Sequence, residues 1–175
     1  MRQVYLDWAA TAPLCEEAAE AMRPYLEPGM ANIAHNANAN SLHTPGRTAF
    51  SALEKARACV ARCVGARRAD EITFTSGATE ADNAALFGIV EACARNARLQ
   101  GRKGFVPHVV TTGFEHDAVL VAARELKARG CEVTVVNPRR DGFVDESDVR
   151  AALRESTVLV SVMAANNEIG TIEPL

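Results

Sequence analysis

The sequence predicts an α/β protein of three layers, α/β/α, built on a mostly parallel sheet. Three observations predict it. Segments rich in β-branched and apolar residues, at 71–75, 106–112, 132–136 and 157–164, alternate with helical patterns at 78–98, 117–129 and 145–153. Helices of that length between strands are βαβ crossovers, which make neighbouring strands parallel. Polar clusters stand just past the carboxyl ends of strands, at 76–79, 115–117 and 166–168. In open α/β sheets that edge is where ligands bind.

Taken in order, Val4-Tyr5-Leu6 is a short extended piece, and the turn-like run D-W-A-A-T-A-P-L follows it. Residues 16–26 read as a helix that ends near Pro28-Gly29. Residues 31–41 are rich in Asn and lack apolar periodicity, which predicts a loop. Thr44 and Pro45 suit the N-cap and first position of the next helix. Phe50, Leu53, Ala56, Val60 and Val64 recur at helical spacing along it, and Gly65 closes it. The strand at 71–75 leads through Ser76-Gly77 into a helix with Ala81, Ala84, Ala85 and Ile89 on its apolar side. Gly130 ends the helix at 117–129, 138–142 is a turn, and Asp145 can cap the short helix before the last strand. There is no internal repeat and no low-complexity tract.

Composition narrows the function. With 175 residues, 48% hydrophobic and 23% charged, the chain suits a soluble globular domain with a sizeable core. A net charge of −3 argues against a nucleic-acid footprint, which wants a basic face. Met1-Arg-Gln-Val-Tyr runs into Asp7 rather than an apolar stretch, so no signal peptide is expected. The longest apolar run, 158–165, is too short to span a bilayer, so no membrane partner is expected. Five cysteines and no export signal suggest reduced thiols and a cytoplasmic protein. Cys59 and Cys63 share one helix face without two further ligands nearby, so the expectation is buried thiols rather than a metal site.

The stretch 72–83, I-T-F-T-S-G-A-T-E-A-D-N, carries the first chemical signal. A chain that turns through Ser-Gly into a helix points the N–H groups of the first helical turn outward. Those groups and the helix dipole make an anion site, to which Thr79 can add a hydroxyl. An ordinary capped turn would look the same. Further on, His116 supplies an imidazole and Asn167 a carboxamide. Each also has a plainer reading, His116 as a residue at a helix start and Asn167 as a turn former. Parallel strands would bring all three to one sheet edge, which is the outline of a small-molecule site. His35 and His108 carry no functional signal, and His43 reads as a loop residue.

Five motifs in order resemble one family. They are Y-L-D-W-A-A-T-A-P near the start, N-A-N-S-L-H-T-P-G at 38–46, F-T-S-G-A-T-E-A-D-N at 74–83, F-E-H-D-A-V-L at 114–120 and M-A-A-N-N-E-I-G at 163–170. Together they resemble cysteine desulfurases, class V enzymes of fold type I that depend on pyridoxal phosphate (PLP). S-G-A-T-E and E-H-x-A-V-L look like the branch that feeds iron–sulfur clusters and thiolated tRNA. The resemblance implies conversion of L-cysteine to L-alanine, with sulfur passed as a persulfide to an acceptor protein of cluster assembly, and a homodimer. It implies that Ala78 and Thr79 hold the PLP phosphate. His116 is implied to stack on the pyridine ring and move protons, which suits a group that titrates near neutrality. Asn167 is implied to bond the ring oxygen. Ala10, Thr11 and Asn38 match segments lining the substrate side.

The chain also departs from the pattern. Trp8 stands for the usual tyrosine, Ala39 for a proline and Ala164 for a frequent histidine. Lys55, Lys103 and Lys127 do not lie in the Ser-x-His-Lys context of the family's PLP lysine. That lysine, the aspartate that pairs with the pyridine nitrogen, the nucleophilic cysteine and a carboxylate-binding arginine are expected downstream of Leu175. The expectation is therefore an N-terminal segment plus the first part of a fold-type-I large domain, without the PLP-lysine region and the C-terminal small domain, inactive alone and a weak PLP binder. The alternatives are another class V enzyme, aminotransferase-like, acting on a different amino acid, and a non-catalytic module that keeps the fold.

Overall fold

The structure, a computed structural model, describes residues 3–174. They fall into two compact units, one through Phe74 and one from Thr75 onward.

The first unit is helical. Helix α1 spans Glu16–Leu26, as its pattern predicts. The expected loop at 31–41 instead contains a 3-10 turn, Met30–Asn32, and a short helix α2, Ile33–Asn36. The asparagines explain the difference. Asn32 Nδ2 donates to the carbonyls of Tyr25 (3.2 Å) and Glu27 (2.5 Å), and Asn36 Nδ2 donates to Tyr25 (2.6 Å). The Asn-rich run thus folds back to satisfy the orphan carbonyls at the end of α1.

Helix α3 spans Thr44–Cys63. Its N-cap is His43 rather than Thr44: His43 Nδ1 accepts the Gly46 N–H at 3.2 Å. An imidazole nitrogen placed there does the work of a Ser or Asp oxygen. The predicted apolar face is largely uncovered, with Phe50, Leu53, Val60 and Val64 exposed. Gly46, Ala49 and Ala61 are buried instead. Gly46 lies against the 38–41 turn so closely that a Cβ would meet Ser41 O at 2.6 Å. Cys59 and Cys63, expected as buried thiols, are exposed. Periodicity marks an apolar face but not what covers it.

Residues 72–75, expected as a strand, form none. Ile72 is extended (φ −96°, ψ 125°) and follows a 3-10 turn, Ala69–Glu71. No ladder partner stands beside it among the described residues. Its carbonyl is taken by Arg57 Nη1 at 2.6 Å, and the Arg57 guanidinium lies 5.0 Å from the centre of the Phe74 ring. Strand propensity is preference for a paired, half-buried surface, so without pairing it yields only extended backbone.

The second unit is the α/β part. In order come α4 (Ala78–Leu99), β1 (His108–Thr112), α5 (Asp117–Ala128), β2 (Glu132–Val136), α6 (Glu146–Ala152) and β3 (Thr157–Ser161). The sheet is parallel, with order β2-β1-β3. The strands expected at 106–112 and 157–164 are trimmed to their paired cores. Successive residues of β1 face opposite ways. Val109 packs with Leu86 and Val90 of α4 and Val119, Ala122 and Leu126 of α5. Val110 packs with Val136, Val144 and Val149 on the α6 side. That makes three layers with the sheet in the middle. The apolar side of α4 is Leu86, Val90 and Ala97 rather than Ala81, Ala84, Ala85 and Ile89, which are exposed.

The central strand contains one polar clamp. His108 is fully buried on β1. Its Nδ1 lies 2.8 Å from Thr157 Oγ1 of β3, and its Nε2 lies 2.9 Å from Thr134 Oγ1 of β2. Burial, and then the nearby Arg154, push the imidazole pKa down. A neutral ring with both nitrogens engaged is the form such a position tolerates. Among the described residues no helix is long and apolar enough to cross a membrane.

Candidate functional site

The site lies in the second unit, where β1, β3 and α4 present loops and a helix start. Gly77 caps α4 with an extended backbone (φ 171°). Ala81 N–H reaches back to Gly77 O at 3.1 Å, and among the described residues nothing accepts the N–H groups of Ala78, Thr79 and Glu80. The Glu80 carboxylate turns back on Ser76, taking its N–H (2.8 Å) and its hydroxyl (2.6 Å). Those bonds lower the Glu80 pKa, the hydroxyl contributing most. The carboxylate is thereby drawn off the donors of Ala78 and Thr79. Free N–H groups at a helix start, with the Thr79 hydroxyl beside them, are the donor set that a phosphate dianion needs.

His116 caps α5. Its Nδ1 accepts the Ala118 N–H at 3.1 Å. A nitrogen that accepts carries no proton, so in the neutral ring the proton sits on Nε2. His116 thus stands at a helix start and caps it through Nδ1, while Nε2 remains available. The side chain is exposed and lines two pockets. One, of about 580 Å³, also has Thr79, Asn83 and Phe87 in its wall. The other, of about 470 Å³, is lined by Gly113, Phe114, Leu120, Asn166 and Asn167. His116 thus joins the helix start to the loop carrying Asn167. Thr79 and His116 share one pocket and His116 and Asn167 the other, while Ala78 lines neither.

Two residues at this edge were named in the sequence only as members of polar clusters, with no role of their own. Asn166, next to Asn167, is buried and bonds both flanking loops. Glu115, next to His116, is buried too, and Thr112 Oγ1 donates to it at 3.3 Å. Burial raises its pKa, partly offset by the Met163 N–H and the Thr112 hydroxyl. The signal was present as polar residues flanking each candidate, but which neighbour turns inward is decided by the loops. Ala10, Thr11 and Asn38 belong to the first unit. Ala10 and Thr11 close a turn on the Asp7 carbonyl, and Asn38 Oδ1 accepts the Asn40 N–H. Lys55, Lys103 and Lys127 line neither of the two pockets at His116.

A helix start with free donors, an imidazole and a carboxamide fit a phosphorylated heteroaromatic cofactor, because each polar feature of such a molecule finds a partner of the right kind. Comparison with known proteins agrees. The cysteine desulfurase IscS of Dictyoglomus turgidum is 43% identical over 174 residues, which is 99% of this chain and 40% of that protein. The cysteine desulfurase IscS of Neisseria gonorrhoeae is 42% identical over 170 residues, 97% of this chain and 38% of that one. Among solved structures, a NifS-like protein superposes with a TM-score of 0.82 at 34% identity, covering 99% of this chain and 43% of its own. SspA in complex with cysteine superposes with a TM-score of 0.77 at 30% identity, covering 97% and 44%. The chain therefore spans about two fifths of the length of these relatives. The model of the aminotransferase class V family matches residues 4–175, nearly the whole sequence, and with the shared α/β frame it follows that this chain belongs to that family.

Proposed function

We propose that the chain forms the cofactor-phosphate side of a PLP-dependent cysteine desulfurase, part of an enzyme that converts L-cysteine to L-alanine and passes the sulfur on as a persulfide. The observation that carries this reading is the convergence of Thr79, His116 and Asn167 on adjoining pockets at the sheet edge. The family is PLP-dependent, and the relatives named above are cysteine desulfurases. Bound PLP supplies an electron sink that weakens bonds at the carbon bearing the amino group.

The chain's own residues have separate tasks. The N–H groups of Ala78 and Thr79 and the Thr79 hydroxyl would hold the phosphate. Asn167 would donate its amide N–H to the ring oxygen. His116 would meet the ring and exchange a proton at Nε2, its Nδ1 remaining bonded to Ala118. Leu120 and Phe114 give the Asn167 pocket its apolar wall, which would face the bound cofactor. The lysine that attaches the cofactor and the thiolate that accepts sulfur belong, on this reading, to a part of the enzyme downstream of residue 175. The same reading makes the working enzyme a cytoplasmic homodimer that hands sulfur to an acceptor protein for iron–sulfur clusters or thiolated tRNA.

The test is a PLP titration of the purified chain, followed by absorbance, with inorganic phosphate as competitor. Binding that phosphate reverses, that dialysis removes and that borohydride does not fix is the expected result. Absence of binding at millimolar PLP would contradict the cofactor site. Steady release of alanine from L-cysteine by the pure chain would contradict the placement of lysine and thiolate elsewhere.

A further inference from the structure

The loops that follow β1 and β3 carry His116 and Asn167, and one side chain fastens them together. Asn166 is only 7% exposed. Its Nδ2 donates to the carbonyl of Phe114 at 3.0 Å, two residues before His116, and lies 3.3 Å from Met163 Sδ. Its Oδ1 accepts the N–H groups of Glu168 (2.8 Å) and Ile169 (2.9 Å), just past Asn167. Its own N–H donates to Thr171 O at 2.8 Å, and its carbonyl accepts the Gly170 N–H at 3.1 Å. Every polar group of the residue is engaged, and none is left for a ligand.

We propose that Asn166 is a positioning residue, which sets the separation of His116 and Asn167 by bonding one loop as a donor and the other as an acceptor. The proposal rests on the reading of this pocket as a PLP site. The amide is matched to the task. Aspartate keeps the acceptor that folds 167–169 but loses the donor to Phe114 and sets a negative charge against a carbonyl. Glutamine keeps both groups and moves them by one methylene. Alanine loses both. A buried side chain with donor and acceptor both used fixes a geometry more tightly than apolar packing does, because hydrogen bonds are directional.

The test uses the whole 175-residue chain, with N166D, N166Q, H116A, N167A and the double variant N166D/H116A. The first readout is the amide spectrum and hydrogen exchange. In N166D the signals of 113–117 should move, while Glu168 and Ile169 N–H remain protected. The second is PLP affinity. N166D should weaken it about fivefold, the size of one lost hydrogen bond, and N166Q should weaken it with little change in Tm. In the H116A background N166D should weaken affinity further by less than about twofold, because residues acting through one another are not additive. Parent-like PLP binding in both N166D and N166Q overturns the proposal. So does a loss in N166D that adds in full to that of H116A, which marks a general structural effect. Parent-like binding in both H116A and N167A instead overturns the site reading beneath it.

Discussion

At the scale of single residues, this site depends on what each polar group is already doing. His116 uses Nδ1 to cap α5 and keeps Nε2 open, whereas His43 uses Nδ1 to cap α3 in the same manner. His108 uses both nitrogens inside the sheet and has nothing left for chemistry. The sequence placed the functional signal on His116 through its motif, but no local pattern separates a capping histidine from a clamped one. Asn166 and Asn167 illustrate the same limit, since adjacent identical residues take opposite roles according to which one turns inward. Glu115 yields a pH prediction. Its folded-state pKa is raised above the ordinary 4.5, chiefly by burial. The native state therefore holds a proton that the unfolded chain releases, and stability falls as pH rises from about 4.5 through the raised value. E115Q removes that ionisation. Denaturant melts from pH 4.5 to neutrality should show a smaller loss in E115Q than in the parent. An equal loss would contradict the assignment.

At the scale of elements, the helices and strands of the α/β part were largely legible, because alternating periods of two and 3.6 mark them without tertiary knowledge. The parallel pairing, the cap at Asp145, the helix stop at Gly130 and the span of β2 all follow from the pattern. What was misread depended on partners. Residues 72–75 have strand composition but no ladder, and the apolar stripes assigned to α3 and α4 are not the faces that pack. The core at β1 shows which faces do. Leu126 of α5 is 2% exposed and packs with Val109, whereas Val135 of β2 is 46% exposed. L126A should cost about 3 kcal/mol and V135A no more than about 0.5 kcal/mol, both read from chemical denaturation. Similar costs for the two would contradict the layer assignment.

At the scale of the whole molecule, two units of different character make up the described chain, and the candidate site belongs to the α/β one. The family match runs along nearly the full sequence, yet the chain spans about two fifths of its relatives. The candidate site brings a helix start with free N–H groups, an imidazole and a carboxamide to adjoining pockets. Large apolar side chains such as Leu42 and Val64 in the first unit and Ile172 in the second are exposed.

The central claim, that the α4 start, His116 and Asn167 together form a PLP site, is tested most directly by mapping amide and imidazole signals during a titration with PLP. The account predicts shifts concentrated at Ala78, Thr79, His116 and Asn167, with inorganic phosphate alone moving only the α4 start. Shifts that cluster elsewhere, for instance at the apolar pocket lined by Val144, Val149 and Val160, or identical responses to phosphate and PLP at every residue, would contradict it.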